Sequence, residues 1–122
     1  MFQRWPKRDP NKHYYLVPNE VFNLGLTSHE IAVYNYLLRC EDRRTYQCHP
    51  SYRTISDAAH LTVSTAIKHI IKLVDRQLIT AERAGYTDHK GMKWNSNNLY
   101  TILPVQTAMS HCCQQQMLWS TA

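Results

Sequence analysis

Between Pro50 and Arg83 the chain reads PSYRTISDAAHLTVSTAIKHIIKLVDRQLITAER, and that run leaves little freedom in how it can fold. Ser51, just after a proline, offers a side-chain oxygen to the unpaired N–H groups of a helix start. A short helix is predicted over about 52–59, with Ile55, Ala58 and Ala59 facing inward. Thr62 repeats the capping signal for a further helix over about 63–76. Only His60, Leu61 and the capping Thr62 lie between the two, so the chain must reverse sharply there. A histidine at the turn accepts left-handed backbone better than a branched residue does. In the later helix Ala66, Ile70 and Leu73 form one apolar stripe, and Ile67, Ile71 and Val74 form a second beside it. Leu78 to Arg83 alternates and carries branched residues, which predicts a strand. The double stripe asks for more cover than one small helix needs. An earlier helix, an N-terminal strand or tail, and a second subunit are the alternatives.

The preceding segment supplies the earlier helix. Thr27 and Glu30 have capping-box spacing, and Ile31, Tyr34, Leu37 and Leu38 follow on one face, so a helix is expected from about 28 to 40. Upstream, Tyr14 to Val17 reads as a short strand stopped by Pro18, followed by a helical turn over Asn19–Phe22, with Gly25 free to take positive φ. Glu41 to His49 is a charged loop. Ala84 to Asn95 is a polar loop with two glycines, and Asn98 to Leu103 is a strand that returns. The expected division is a flexible basic arm at 1–13, one domain at 14–103 and a tail at 104–122, where Met109 to Leu118 could form a helix on a partner.

Charge is distributed unevenly. The formal net charge is +5, which favours polyanionic partners. The excess sits on the arm (Arg4, Lys7, Arg8, Lys12), on the later helix with its strand (Lys68, Lys72, Arg76, Arg83) and on the loop behind them (Lys90, Lys93). The stretch from 13 to 61 is slightly acidic, and the last 19 residues carry no charged side chain. No apolar run approaches the roughly 18–20 residues that cross a bilayer, and basic residues near the N-terminus have no apolar run behind them. Cysteines at 40, 48, 112 and 113 do not suggest a disulfide framework, so a reducing cytoplasm is expected.

Taken together, PNEVFNLGLTSHEIAVYNYLLRC, CHPSYRTISDAAHLTVSTAIKHIIKLVDRQLIT and NSNNLYTI resemble a winged helix-turn-helix family of bacterial, phage, plasmid and conjugative-element proteins. The resemblance covers roughly residues 14–103. It rests on the Pro-Ser before the short helix, the Ser-Thr pair opening the next, the Leu-Ile strand after it and the Ser-Asn-x-Leu-Tyr returning strand. It implies an α+β fold with a three-helix core and a two- or three-stranded β-wing, and a DNA-binding module that is not an enzyme. Two positions depart from the pattern. His60 stands where glycine is common, and Val63 stands where a basic residue is common.

A recognition helix of this kind presents its outer residues to the major groove. With Ala66, Ile70 and Leu73 inward, those are Ser64, Thr65, Lys68, His69 and Lys72. The hydroxyls suit phosphate or base edges, Lys68 a guanine edge or a phosphate, and Lys72 a phosphate. Ser51, Tyr52 and Arg53 open the short helix, whose free N–H groups also suit a phosphate. Lys90 and Lys93 would lie with the wing along the backbone, where Trp94 either joins them or anchors the loop on the domain. The plainer reading makes each of these a helix cap or a solvated surface residue. Expected partners are double-stranded DNA and, as an open alternative, a second copy of the chain. No membrane, small-molecule ligand or cofactor is indicated.

Other chemistry finds little support. Cys40, Cys48-His49 and His111-Cys112-Cys113 lack zinc-knuckle spacing, and Cys40 and Cys48 read as small buried residues. No Ser/His/Asp set, paired carboxylates or phosphate-binding glycine loop stands in a catalytic context. Three functions remain: a transcription regulator, a replication-initiation or mobile-element factor binding origin repeats, and a winged-helix adapter that binds protein. Lys68 and Lys72 on the outer helix face weigh against the adapter.

Overall fold

The computed structural model describes residues 6–9, 12–83, 85–87, 89–91, 93–95 and 97–110, with the backbone alone for 85–87 and 93–95. A 3-10 turn at Asn19–Asn23 opens on Pro18. It leads through Gly25, whose φ is +73°, into α1 at Ser28–Cys40. Then come β1 at Gln47–Cys48, α2 at Tyr52–Ala59, α3 at Val63–Asp75 and β2 at Ile79–Glu82. The hairpin β3–β4 (Gly85–Thr87, Lys93–Asn95) precedes β5 at Leu99–Ile102, and residues 105–110 form α4.

Each helix starts where its cap dictates. Thr27 Oγ1 accepts the Glu30 N–H at 3.3 Å, and the Glu30 carboxylate accepts the Thr27 N–H at 3.4 Å, completing the capping box. Ser51 accepts the Thr54 N–H at 3.1 Å, and Thr62 accepts the Thr65 N–H at 3.3 Å. The ends of α2 and α3 share a second device. His60 N–H donates to Asp57 O and Leu61 N–H to Ser56 O; Gln77 N–H donates to Val74 O and Leu78 N–H to Leu73 O. These are Schellman pairs, with His60 (φ +56°) and Gln77 (φ +60°) in the left-handed position where glycine is usual.

The three helices pack on one another around Val33, Tyr34, Leu37, Ile55, Ala66, Ile70 and Leu73, all buried. The sheet closes one side. β5 is its central strand, antiparallel to β1 through Gln47↔Thr101 and Cys48↔Tyr100, and to β2 through Ile79↔Ile102 to Glu82↔Leu99. Tyr100 and Ile102 alternate inward, and Ile79, the cross-strand partner of Ile102, is buried with Leu78. Cys48 Sγ lies 3.7 Å from the Leu37 carbonyl oxygen, tying β1 to α1, and burial pushes its thiol up to about 12.

Several expectations needed correction. Tyr14 to Val17 form no strand: Tyr14, Tyr15 and Leu16 are exposed, and only Val17 packs on the core. Among the described residues the strand pairings join β1 and β2 to β5 and β3 to β4, and none of them includes Tyr14 to Val17. The charged loop contains β1, and the polar loop contains the β3–β4 hairpin. In α2, Ser56 is buried where Ala58 was expected, and Ala58 is exposed. Ser56 can sit there because its hydroxyl donates to the Arg53 carbonyl at 2.9 Å. Cys40 is exposed and not buried. α4 begins directly after Pro104, and its Ala108 is buried in the core. The expected helix over 109–118 lies largely outside the described residues.

Candidate nucleic-acid interface

α3 turns one face to the core and the opposite face to solvent. Ser64 and Lys68 are exposed on that outer face, one helical turn apart. Thr65 is half-buried, and its hydroxyl lies 2.7 Å from that of Thr62, so it serves the cap. His69 does not project with the others. Both its ring nitrogens are shielded from solvent without a hydrogen-bond partner, and the ring stands edge-on to His29 of α1 at 5.8 Å. The expected outward position of His69 is therefore corrected: it lies on the flank of α3 that meets α1. The second apolar stripe also resolves. Ile67 is half-buried, whereas Ile71 and Val74 are 62% and 38% exposed, so among the described residues neither α1 nor the N-terminal segment covers them fully.

Glu30 fixes how α3 is presented. Its side chain is 1% exposed and lies 3.8 Å from Lys72 Nζ and 4.0 Å from Arg76 Nε. Arg76 also donates through Nη1 to the Leu24 carbonyl at 2.9 Å. One buried carboxylate thus caps α1 and holds the far end of α3. Lys72 keeps a largely exposed side chain beside it. At 3.8 Å the contact with Glu30 is long, and the ammonium group of Lys72 faces solvent, open to an outside anion. Sequence periodicity gave no sign of the second task of Glu30, because its partners lie more than 40 positions away.

The start of α2 sits beside the wing. Ser51 is spent on its cap, its hydroxyl 2.8 Å from that of Thr54. The Tyr52 hydroxyl accepts from Asn98 Nδ2 at 2.6 Å, and Asn98 also reaches the Tyr100 hydroxyl at 3.4 Å. Asn97 Nδ2 donates to the His49 carbonyl at 3.2 Å. These bonds join the base of the wing to the start of α2. Arg53 is exposed alongside. Lys90 is exposed at the tip of the β3–β4 hairpin, next to Gly91 at φ +79°. Lys93 and Trp94 lie in β4, where only the backbone is described, and Arg4 lies outside the described residues. Exposed Ser64, Lys68, Lys72 and Arg53 thus all belong to the two helices on either side of the His60 turn.

Three helices with a tight turn between α2 and α3, backed by an antiparallel wing, define a winged helix-turn-helix domain. Residues 24–79 match the family model described as "Helix-turn-helix domain", which spans α1 to the start of β2. Among solved structures the chain is similar to a possible transcriptional regulator from Methanosarcina mazei Go1. The identity is 19%, with 80% of this chain and 73% of that chain covered, at a TM-score of 0.52. It is also similar to the zinc-responsive MarR family member ZitR of Lactococcus lactis, at 20% identity, 91% and 68% coverage and a TM-score of 0.49. No curated protein matches in sequence. Among the described residues, no group of three or more His, Cys, Asp or Glu could hold a metal, and no helix is long and apolar enough to cross a membrane.

Proposed function

We propose that this chain binds double-stranded DNA with sequence preference, as a small transcription regulator. In this reading α3 enters the major groove and the wing follows the adjacent backbone. The observation that carries it is the outer face of α3. Ser64 and Lys68 stand exposed near the N-terminal end of a capped helix whose far end is pinned by Glu30 and Leu24. Lys68 is placed to reach a base edge. Lys72 and Arg53 flank it as phosphate contacts, and Lys90 at the wing tip adds a further one. These contacts need no bound cofactor.

The test is a fluorescence-anisotropy titration against a random duplex pool at low and moderate salt, with sequencing of the retained fraction. Salt-sensitive binding with an enriched motif is the expected result, because each neutralised phosphate releases counterions. A palindromic motif would mean that two copies bind together. No binding at low salt would overturn the reading in favour of a protein adapter.

A further inference from the structure

Nothing in the fold requires an isoleucine at position 71. The core of α3 is filled by Ala66, Ile70 and Leu73, and Ile71 projects the other way, 62% exposed. A β-branched side chain at a solvated helix position gives up rotamer freedom and gains no packing in return. Its neighbours on that face are informative. Ser64, Lys68 and Ile71 follow at i, i+4 and i+7, so Ile71 lies one turn beyond Lys68 on the same outer line.

We propose that Ile71 is a specificity determinant that packs against the C5-methyl group of a thymine in the major groove. The inference rests on the DNA-binding reading above and extends it to one base. An isoleucine side chain has no hydrogen-bonding group and gains only by shedding water against another apolar surface. The major-groove edges of the four bases offer donors, acceptors and one apolar group, the thymine methyl. Duplex DNA is the occupant that fits, because exposed Lys68 and Lys72 lie beside Ile71. Two cations so placed draw a polyanion to this face, and an apolar protein surface would have to strip them of water. Lys68 and Ile71 then read neighbouring positions by different means, one by hydrogen bonding and one by methyl contact.

The experiment uses the full chain and the duplex enriched from the random pool, resynthesised with deoxyuridine in place of thymine at one position at a time. That change removes a methyl group and leaves every hydrogen-bonding atom. At one position the wild-type protein should lose about fourfold in affinity, the equivalent of ~0.8 kcal/mol for one buried carbon group. Ile71→Ala should bind the thymine and deoxyuridine duplexes equally at that position. Because Ile71 is exposed and alanine is the better helix former, the variant should unfold at or slightly above the wild-type denaturant midpoint. Equal losses in both proteins, no loss at any position, or an enriched site without thymine would overturn the inference and leave DNA binding standing. Failure of the wild-type protein to bind any duplex would remove the DNA-binding reading, and this inference with it.

Discussion

Replacing His60 by glycine should make the protein more stable. His60 occupies the turn between α2 and α3 with φ +56° and ψ +44°. There a Cβ crowds its own backbone, at a cost of roughly 1–2 kcal/mol for an L-residue, with histidine toward the lower end. Glycine escapes that cost but enters folding from a looser unfolded chain, which returns about 0.4–1 kcal/mol. The side chain of His60 is exposed, and the two bonds that close the turn come from the backbone of His60 and Leu61, so His60→Gly removes none of them. The net gain is about 0.5 kcal/mol, by difference of the two terms with histidine at the lower end of the strain range. Valine, branched at Cβ, should lose more than 1 kcal/mol or so at the same place, and asparagine should fall between glycine and valine. Urea unfolding of the four proteins measures this directly. With a slope of about 1–3 kcal/mol/M, the glycine midpoint should rise by roughly 0.2–0.5 M without a change of slope. A glycine variant no more stable than wild type, or a valine variant equal to it, would refute the assignment of left-handed strain to this residue.

Other expectations follow from the same geometry. Lys68→Ala should flatten the sequence preference, whereas Lys72→Ala and Arg53→Ala should weaken all duplexes alike and reduce the salt slope by about one each, as read by titration against matched and scrambled DNA. Gly25→Ala should cost about 1–2 kcal/mol in urea unfolding, because the position is left-handed at φ +73° and the added Cβ would lie 3.3 Å from Arg76 Nη1. Stability should fall at alkaline pH. Burial raises Cys48 from 9.0, and Tyr34 and Tyr100 from 10.0, each to about 12, so the folded state holds protons that the unfolded chain releases. Their contribution is intact below pH 9 and lost between about 9 and 12; unfolding midpoints that stay flat to pH 11 would contradict it.

The sequence disclosed most where a local rule had one solution. Thr27, Ser51 and Thr62 each mark a helix start, and all three helices begin one residue after them. Ala66, Ile70 and Leu73 could be assigned to the core because their spacing admits one face. What escaped depended on distant partners. β1 is two residues long and exists because β5 lies beside it. The inward face of α1 keeps the expected Tyr34, Leu37 and Leu38 but adds Glu30 and Val33, with Ile31 only partly buried, because α3 helps set which side is covered. His69 has the spacing of a surface residue but the surroundings of a packed one, since α1 crosses that flank of α3. In the candidate site, Ser64, Lys68 and Arg53 are exposed as their spacing predicted, whereas the Tyr52–Asn98 bond spans 46 positions and no pattern announced it.

The double engagement of Glu30 has an evolutionary corollary. Its carboxylate is shared by the cap of Thr27 and by two cations of α3, so no substitution at position 30 can be neutral for one helix alone. A lineage that loses the acid frays the start of α1 and at once leaves Arg76 with the Leu24 carbonyl but without its carboxylate. Positions 27, 30, 72 and 76 should therefore drift as a linked set across related sequences. Where 30 is no longer acidic, 76 should no longer be basic.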